Sequence, residues 1–224
     1  MRCAVVSVVV LVLGGLSPAS AGQNQLLFDG FETADTSAWW APARVGETGQ
    51  VTCWDAAGAV IPCAGTGQDG ELHGGVAWPS PRFEDNGDGT VTDMLTGLVW
   101  LGDAGCLGTS TWSDALSSAR ALASGVCGLS DGSEAGDWRL PTISELQSVI
   151  AYEYSAPPLS DAVGSGQWSD GDPFSGVQVT YYWSSTSYVP DARYAWGVDL
   201  TDGHILGLSK TVSAYHAWPV RGVQ

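Results

Sequence analysis

Basic side chains are scarce in this chain: eight Lys and Arg stand against 24 Asp and Glu, a formal net charge of −16 over 224 residues. Nucleic-acid binding depends on cations that displace counterions from phosphates, and too few are present here to form a patch, so that class of partner is excluded. The same acidity disfavours sulfated polysaccharides unless a divalent cation bridges the two charges, and favours a neutral sugar if a sugar is bound. Long apolar runs are equally scarce. The one run, Ala4 to Leu16, falls short of the roughly 20 residues needed to cross ~30 Å of hydrocarbon. No later segment qualifies, so no transmembrane helix is expected. Metal-binding and catalytic spacings are thin: there is no Cys-x-x-Cys, no His-x-x-x-His and no P-loop, and His73, His204 and His216 are far apart in sequence.

What is present begins with a secretory pattern. Arg2, the apolar run and Ser17-Pro18-Ala19-Ser20-Ala21 supply a charged start, a short apolar middle and a small-residue cleavage site, so cleavage is expected after Ala21. Removing residues 1–21 takes away one Arg and no acid, which moves the formal charge to −17. Cys3 precedes the apolar run, where a lipid-anchoring cysteine would follow it. The mature chain keeps Cys53, Cys63, Cys106 and Cys127, an even number suited to an oxidising compartment. Three pairings are open, and sequence separation favours Cys53–Cys63 with Cys106–Cys127. The segment Val51 to Cys63 is symmetric about Gly58, so a hairpin turning there would set Cys53 opposite Cys63. Cys106 and Cys127 bracket an expected helix and would staple its ends.

Residues 22–79 read as an N-terminal arm, with Leu27 to Glu32 and the pair Trp39-Trp40, followed by the cysteine hairpin and a Gly-rich stretch, Gly65 to Gly70. Residues 80–224 read as one domain. Arg82 to Asp85, Thr90 to Asp93 and Leu98 to Leu101 are strand-like, with Asn86-Gly87-Asp88-Gly89 and Thr96-Gly97 as turns, which predicts a three-stranded meander. Thr111 caps a helix whose apolar face is Trp112, Ala115, Leu116, Ala119, Leu122 and Ala123, ending at Gly125. A capping box, Thr142-x-x-Glu145 behind Pro141, opens a second helix that buries Ile143, Leu146, Val149 and Ile150 and ends near Tyr152. Ser155 to Ser175 is a loop. Strands follow at Val179–Ser185, Tyr194–Leu200, His204–Ser209 and Ala217–Arg221.

Three blocks stand out: Asp137-Trp-Arg-Leu-Pro-Thr-Ile-Ser-Glu-Leu146, Tyr182-Trp-Ser-Ser-Thr186 and Trp218-Pro-Val-Arg-Gly222. In this order they resemble the bacterial DUF1566 family, also called the Lcl C-terminal domain, over roughly residues 80–222. The resemblance implies an α+β, C-type-lectin-like fold: a twisted antiparallel sheet with two helices and long loops, which the order of expected elements fits. It also implies a surface adhesin that binds carbohydrate. The sugar-binding tripeptides of calcium-dependent lectins, Glu-Pro-Asn or Gln-Pro-Asp and Trp-Asn-Asp, are absent. Val189-Pro190-Asp191 is the nearest match, between two late strands where that fold places its binding loop. The formylglycine-generating enzymes share the fold, but their catalytic cysteines have no counterpart among these four.

Aromatic faces pack well on the C–H surface of a pyranose while their polar edges stay free. Trp100, Trp112, Trp138, Trp183, Trp196 and Trp218 sit in strand, helix or block positions and are assigned to the core. The ligand-contact candidates are Tyr188, Asp191, Arg193, Tyr194 and Tyr215, with Trp168 in the long loop. Lys210 to His216 would complete a shallow site from the neighbouring loop. For Asp85 to Gly89 a calcium-loop register fails, because Leu95 occupies the position of the bidentate Glu. Turn chemistry explains those residues without an ion, so no cofactor is assigned and calcium stays an open option. Glu145 is read as a helix cap, and Arg139 and Arg221 as partners of buried acids or carbonyls.

The reading is therefore a secreted, periplasmic or cell-surface, non-enzymatic binding module whose partner is a glycan or a surface protein. A structural component of the envelope or matrix, anchored through the arm, is the alternative. A glycan-cleaving enzyme with two facing carboxylates is a third option that composition leaves open.

Overall fold

The structure, a computed structural model, describes residues 45–212 and 215–222. The secretory segment, and the part of the N-terminal arm up to residue 44 with Leu27 to Glu32 and Trp39-Trp40, lie outside the described residues.

The cysteine hairpin comes first. β1 (Cys53–Trp54) and β2 (Val60–Ile61) pair antiparallel. The Asp55 carboxylate shapes the turn by accepting from the amides of Ala57 and Ala59, each at 2.9 Å. Cys53 and Cys63 are bonded, as expected. Their placement differs from the expectation of direct opposition: Cys53 faces Ile61 in the register, so Cys63 lies two residues past the paired strands. The turn centres one residue before Gly58, which shifts the register and makes the bridge diagonal. A short helix, α1 (Asp69–Leu72), emerges from the Gly-rich stretch where none was expected. Glu153 ties the hairpin region to the later half of the chain, accepting from the amides of Val51 and Thr52 at 2.8 and 3.0 Å.

The expected meander forms from β3 (Phe83–Asp85), β4 (Thr90–Asp93) and β5 (Val99–Leu101), all antiparallel. Gly89 has φ 86°, and a Cβ there would stand 2.5 Å from the Gly128 carbonyl oxygen, so this hairpin turn depends on glycine for both conformation and space. Next come β6 (Thr109–Ser110), which was not expected, and α2 (Trp112–Ala121), whose N-cap Thr111 accepts from the Asp114 amide. The helix stops at Ala121, four residues short of Gly125. Leu122 turns extended with ψ 136°, and Gly125 instead donates to the Leu129 carbonyl in the turn that carries Cys127 to Cys106. α3 (Ile143–Ser148) opens with the expected capping box but ends before Tyr152. Beyond it the amides of Ala151 and Tyr152 bond to the carbonyls of Pro158 and Thr48, outside any helical ladder.

β7 (Tyr181–Ser187), β8 (Tyr194–Asp199) and β9 (His204–Ser209) come after the long loop. Of the final strand expected at Ala217–Arg221 only β11 (Val220–Arg221) forms, and β10 (Tyr215–His216), in what was expected as loop, pairs in a different sheet. Among the described residues one sheet has the order β6-β10-β7-β8-β9 and another the order β11-β5-β4-β3. Among the described strands pairing is antiparallel except between β10 and β7, and isolated parallel bridges join Gly46 to Val76 and Asp103 to Ser175. The chain is mostly sheet with few helices, an α+β arrangement.

Two apolar clusters explain the layering. Trp100, Phe83, Leu101 and Val220 of the four-stranded sheet pack with Tyr182 and Val198 of the five-stranded sheet and with Leu146, Val149 and Ile150 at α3. On the other face of the five-stranded sheet, Trp183, Ala195 and Leu208 pack with Ala115 and Ala119 of α2, Leu140 and Ala217. The neighbours Ala217 and Trp218 belong to different clusters, which is why the chain switches sheets there. Trp100, Trp138, Trp183 and Trp218 are each 0 % exposed, as assigned from sequence. Three of these indoles donate inside the protein, Trp138 to the Ser133 hydroxyl and Trp183 and Trp218 to the carbonyls of Ser110 and Leu101.

Candidate functional site: the β7–β8 aromatic face

β7 and β8 meet through residues 188–193. Tyr188 donates its amide to the Tyr194 carbonyl (2.9 Å), and Tyr194 donates to the Asp191 carbonyl (3.0 Å), so the two tyrosines leave the turn side by side. Strand alternation then carries Trp196 onto the same face as Tyr194. The Tyr188 ring meets Trp196 edge to face, with centroids 4.7 Å apart at 90°, and Tyr194 at 6.5 Å and 82°. All three rings are half-buried. Gly207 of β9 stands opposite Trp196 in the register, and Val189 at the tip of the turn is 88 % exposed.

Asp191 and Arg193 close on each other beside this face. Arg193 donates Nε to Asp191 Oδ1 at 2.9 Å and Nη2 to Oδ2 at 2.6 Å. The guanidinium, with the Arg193 amide, pulls the Asp191 carboxyl down to about 2, so the pair stays ionised and locally neutral at ordinary pH.

Tyr188, Asp191, Arg193 and Tyr194 are thus brought together. Tyr215 is not. It packs edge to face on Trp183 (4.9 Å) and Tyr181 (5.5 Å), on the α2 face of the five-stranded sheet. Lys210 likewise turns to that face, its Nζ 4.0 Å above the Trp112 ring and 2.8 Å from Ser187 Oγ. Residues 213 and 214 of the same loop lie outside the described residues. Trp168 donates its indole N–H to the Phe174 carbonyl and packs on the larger cluster. Trp196, assigned to the core from sequence, is the residue that completes the outward cluster. Its signal was available in Tyr194-Ala-Trp196, the period of two that puts both rings on one side of a strand.

The remaining polar candidates are spoken for by the fold. Asp85 and Asp88 accept from the amides of Gly87 and Thr90 within the hairpin turn. Among the described residues no group of three His, Cys, Asp or Glu is placed to hold a metal ion. Gly128-Leu129-Ser130-Asp131-Gly132 has Gly-x-Ser-x-Gly spacing that sequence reasoning passed over, but it sits in the loop after α2, not on the strand-to-helix turn such a nucleophile needs. His73 and His204 are exposed, and burial holds half-buried His216 below its ordinary value. Among the described residues no helix is long and apolar enough to cross a membrane.

A buried pair not anticipated from sequence anchors the meander: Arg82 bonds to Asp93, with both side chains at or below 1 % exposure. Arg82 also donates to the Ser148 carbonyl, joining β3 to the end of α3.

The three sequence blocks converge on structural junctions. Arg139 and Val220 exchange amide-to-carbonyl bonds at 3.1 and 2.9 Å, the Ser185 amide donates to the Pro141 carbonyl, and the Ile143 amide to Thr186 Oγ1. Arg139 pairs with Glu145, and Arg221 lies 3.1 Å from the buried Asp131 carboxylate. Both arginines therefore serve acids of the chain, as read from the sequence. These blocks define the class. The chain matches the Lcl C-terminal domain over residues 89–221 and belongs to that family, also known as DUF1566. No curated protein matches the chain.

Proposed function

We propose that this protein is a secreted, non-enzymatic binding module of C-type-lectin-like fold that recognises a carbohydrate or a protein surface, as an adhesin does. The observation that carries the reading is the Tyr188–Tyr194–Trp196 cluster: three large rings held on an outward face of the sheet, beside an exposed turn. Aromatic residues in this setting offer apolar area together with polar edges and lose little side-chain entropy on binding. Two disulfides support an oxidising compartment. The family's sequence blocks are occupied in holding sheets and helices together, which leaves the exposed turn between β7 and β8 for recognition.

The test is a glycan array, with matched surface-protein ligands, probed with the purified chain in calcium and in chelator. Binding that is lost in Tyr188→Ala and Tyr194→Ala, with both variants still folded well above the assay temperature, supports the reading. Binding unaffected by both substitutions would place recognition elsewhere.

A further inference from the structure

If the β7–β8 face is the binding site, as proposed above, its chemistry narrows the ligand. We infer that the occupant is a neutral saccharide ring, taken without a bridging cation, and that Gly207 is the specificity-determining residue that keeps the face open.

The first support is Gly207 itself. Its backbone has no left-handed φ, so no conformational demand requires glycine there. A Cβ at this position would lie 3.7 Å from Tyr188 Cγ and 3.7 Å from Tyr194 Cβ, in ordinary contact, and any longer side chain would extend over the rings. What glycine supplies is therefore bare space on an exposed strand position beside Tyr188, Tyr194 and Trp196. In each edge-to-face contact one ring's edge covers part of one face of its partner, so the rings present a mixture of edges and free faces beside Gly207. The surface beside Gly207 is therefore a notch lined by aromatic carbon and phenol edges, which suits the C–H and hydroxyl groups of a sugar ring.

The second support is charge. Both carboxylate oxygens of Asp191 are held by Arg193, so the acid most suitably placed to bridge a calcium ion to a sugar is already committed. Lys210 points to the opposite face of the sheet, which leaves Arg193 as the cation of the rim, and that charge is cancelled by its partner. With a formal charge of −16 on the chain as a whole, an anionic ligand meets repulsion that nothing local offsets. The Arg193 guanidinium is 83 % exposed and can still donate to a hydroxyl, as can the tyrosine phenols. A hydroxylated, uncharged ring satisfies all of these terms together.

The experiment is a titration of the full chain, followed by tyrosine and tryptophan resonances and by calorimetry. The probes are neutral methyl glycosides (glucoside, galactoside, mannoside, N-acetylglucosaminide) and their uronate and sulfated counterparts. A neutral glycoside is expected to bind equally in calcium and in chelator. Gly207→Leu is expected to weaken it at least tenfold with an unchanged melting temperature, while Gly207→Ala, whose Cβ makes only ordinary contacts, stays within about threefold of wild type. Should Gly207→Leu fold poorly, Trp196→Ala supplies the same loss by removing the platform. Binding confined to anionic sugars, binding abolished by chelator, or neutral binding untouched by Gly207→Leu and Trp196→Ala would overturn this inference and leave the binding reading standing. So would attachment to a protein ligand through Tyr188 with no saccharide bound. Absence of every saccharide and protein ligand from the Tyr188 face would overturn both.

Discussion

Arg139 grips Glu145 with both guanidinium nitrogens, Nη1 to Oε2 and Nη2 to Oε1, each at 2.7 Å. The same Oε2 accepts the Thr142 amide at 2.8 Å, so one carboxylate both caps α3 and receives the arginine. The Arg139 bond, followed by the Thr142 amide, holds the Glu145 carboxyl below its ordinary value against the opposing effect of burial. A carboxylate depressed in the folded state stabilises fully above its unfolded value of 4.5, and that contribution disappears as pH falls through the lower folded value. Glu145→Gln is therefore expected to lower stability by about 1 kcal/mol at neutral pH, with the difference from wild type shrinking below pH 4.5. The amount is kept small because the pair is partly exposed and solvent screens it. Denaturant melts of both proteins at pH 7 and pH 3 check this.

The Arg82–Asp93 pair carries a larger penalty. Burial pushes the Arg82 guanidinium down and Asp93 pushes it back up, and Asp93 also accepts from the Leu95 amide, the Thr96 amide and the Thr96 hydroxyl at 2.9, 3.3 and 2.7 Å. Asp93→Ala would strand a buried cation and three turn donors together. A loss of about 3–5 kcal/mol is expected. Chemical denaturation should show a fall of that size, and a loss under 1 kcal/mol would mean that water reaches Arg82.

Much of this architecture is written in local chemistry. Asn86-Gly-Asp-Gly89 demands a turn, Thr142-x-x-Glu145 demands a helix start, and both formed as read. The ends of elements were less legible because distant partners decide them: α2 stops where the Cys127 turn claims Gly125, and α3 where Pro158 and Thr48 claim the amides of Ala151 and Tyr152. The site was half legible for the same reason. Tyr188 and Tyr194 are neighbours through one short turn, whereas the side to which Tyr215 points depends on where the chain crosses from one sheet to the other, at Ala217 and Trp218. No local pattern in the last strand records that crossing.

The two disulfides should contribute unequally. Cys106–Cys127 closes a separation of 21 residues that contains α2, and Cys53–Cys63 closes one of 10. Chain entropy gives about 3.3 kcal/mol for the longer loop and about 2.7 kcal/mol for the shorter. Paired Ser variants are expected to rank in that order in thermal melts. The short-loop variant should also retain the β7–β8 face, since its bridge lies in the hairpin of β1 and β2; aromatic near-ultraviolet dichroism reads this directly.

Tyr215 separates a sequence expectation from a geometric one. The sequence grouped it with Tyr188 and Tyr194 as a contact, but its ring seals the cluster beneath α2 against Trp183 and Tyr181. Truncating it removes two edge-to-face contacts and part of a half-buried aromatic side chain, a loss of about 2–3 kcal/mol. Tyr215→Ala is accordingly expected to lower the melting temperature by several degrees while leaving ligand affinity, measured well below that temperature, within about twofold of wild type. Tyr188→Ala, which removes a half-buried ring that also makes two edge-to-face contacts, should cost stability as well and, unlike Tyr215→Ala, at least tenfold in affinity. The two variants measured side by side distinguish a site on the β8–β9 face from one reaching across the sheet edge, because only the latter makes both substitutions weaken binding.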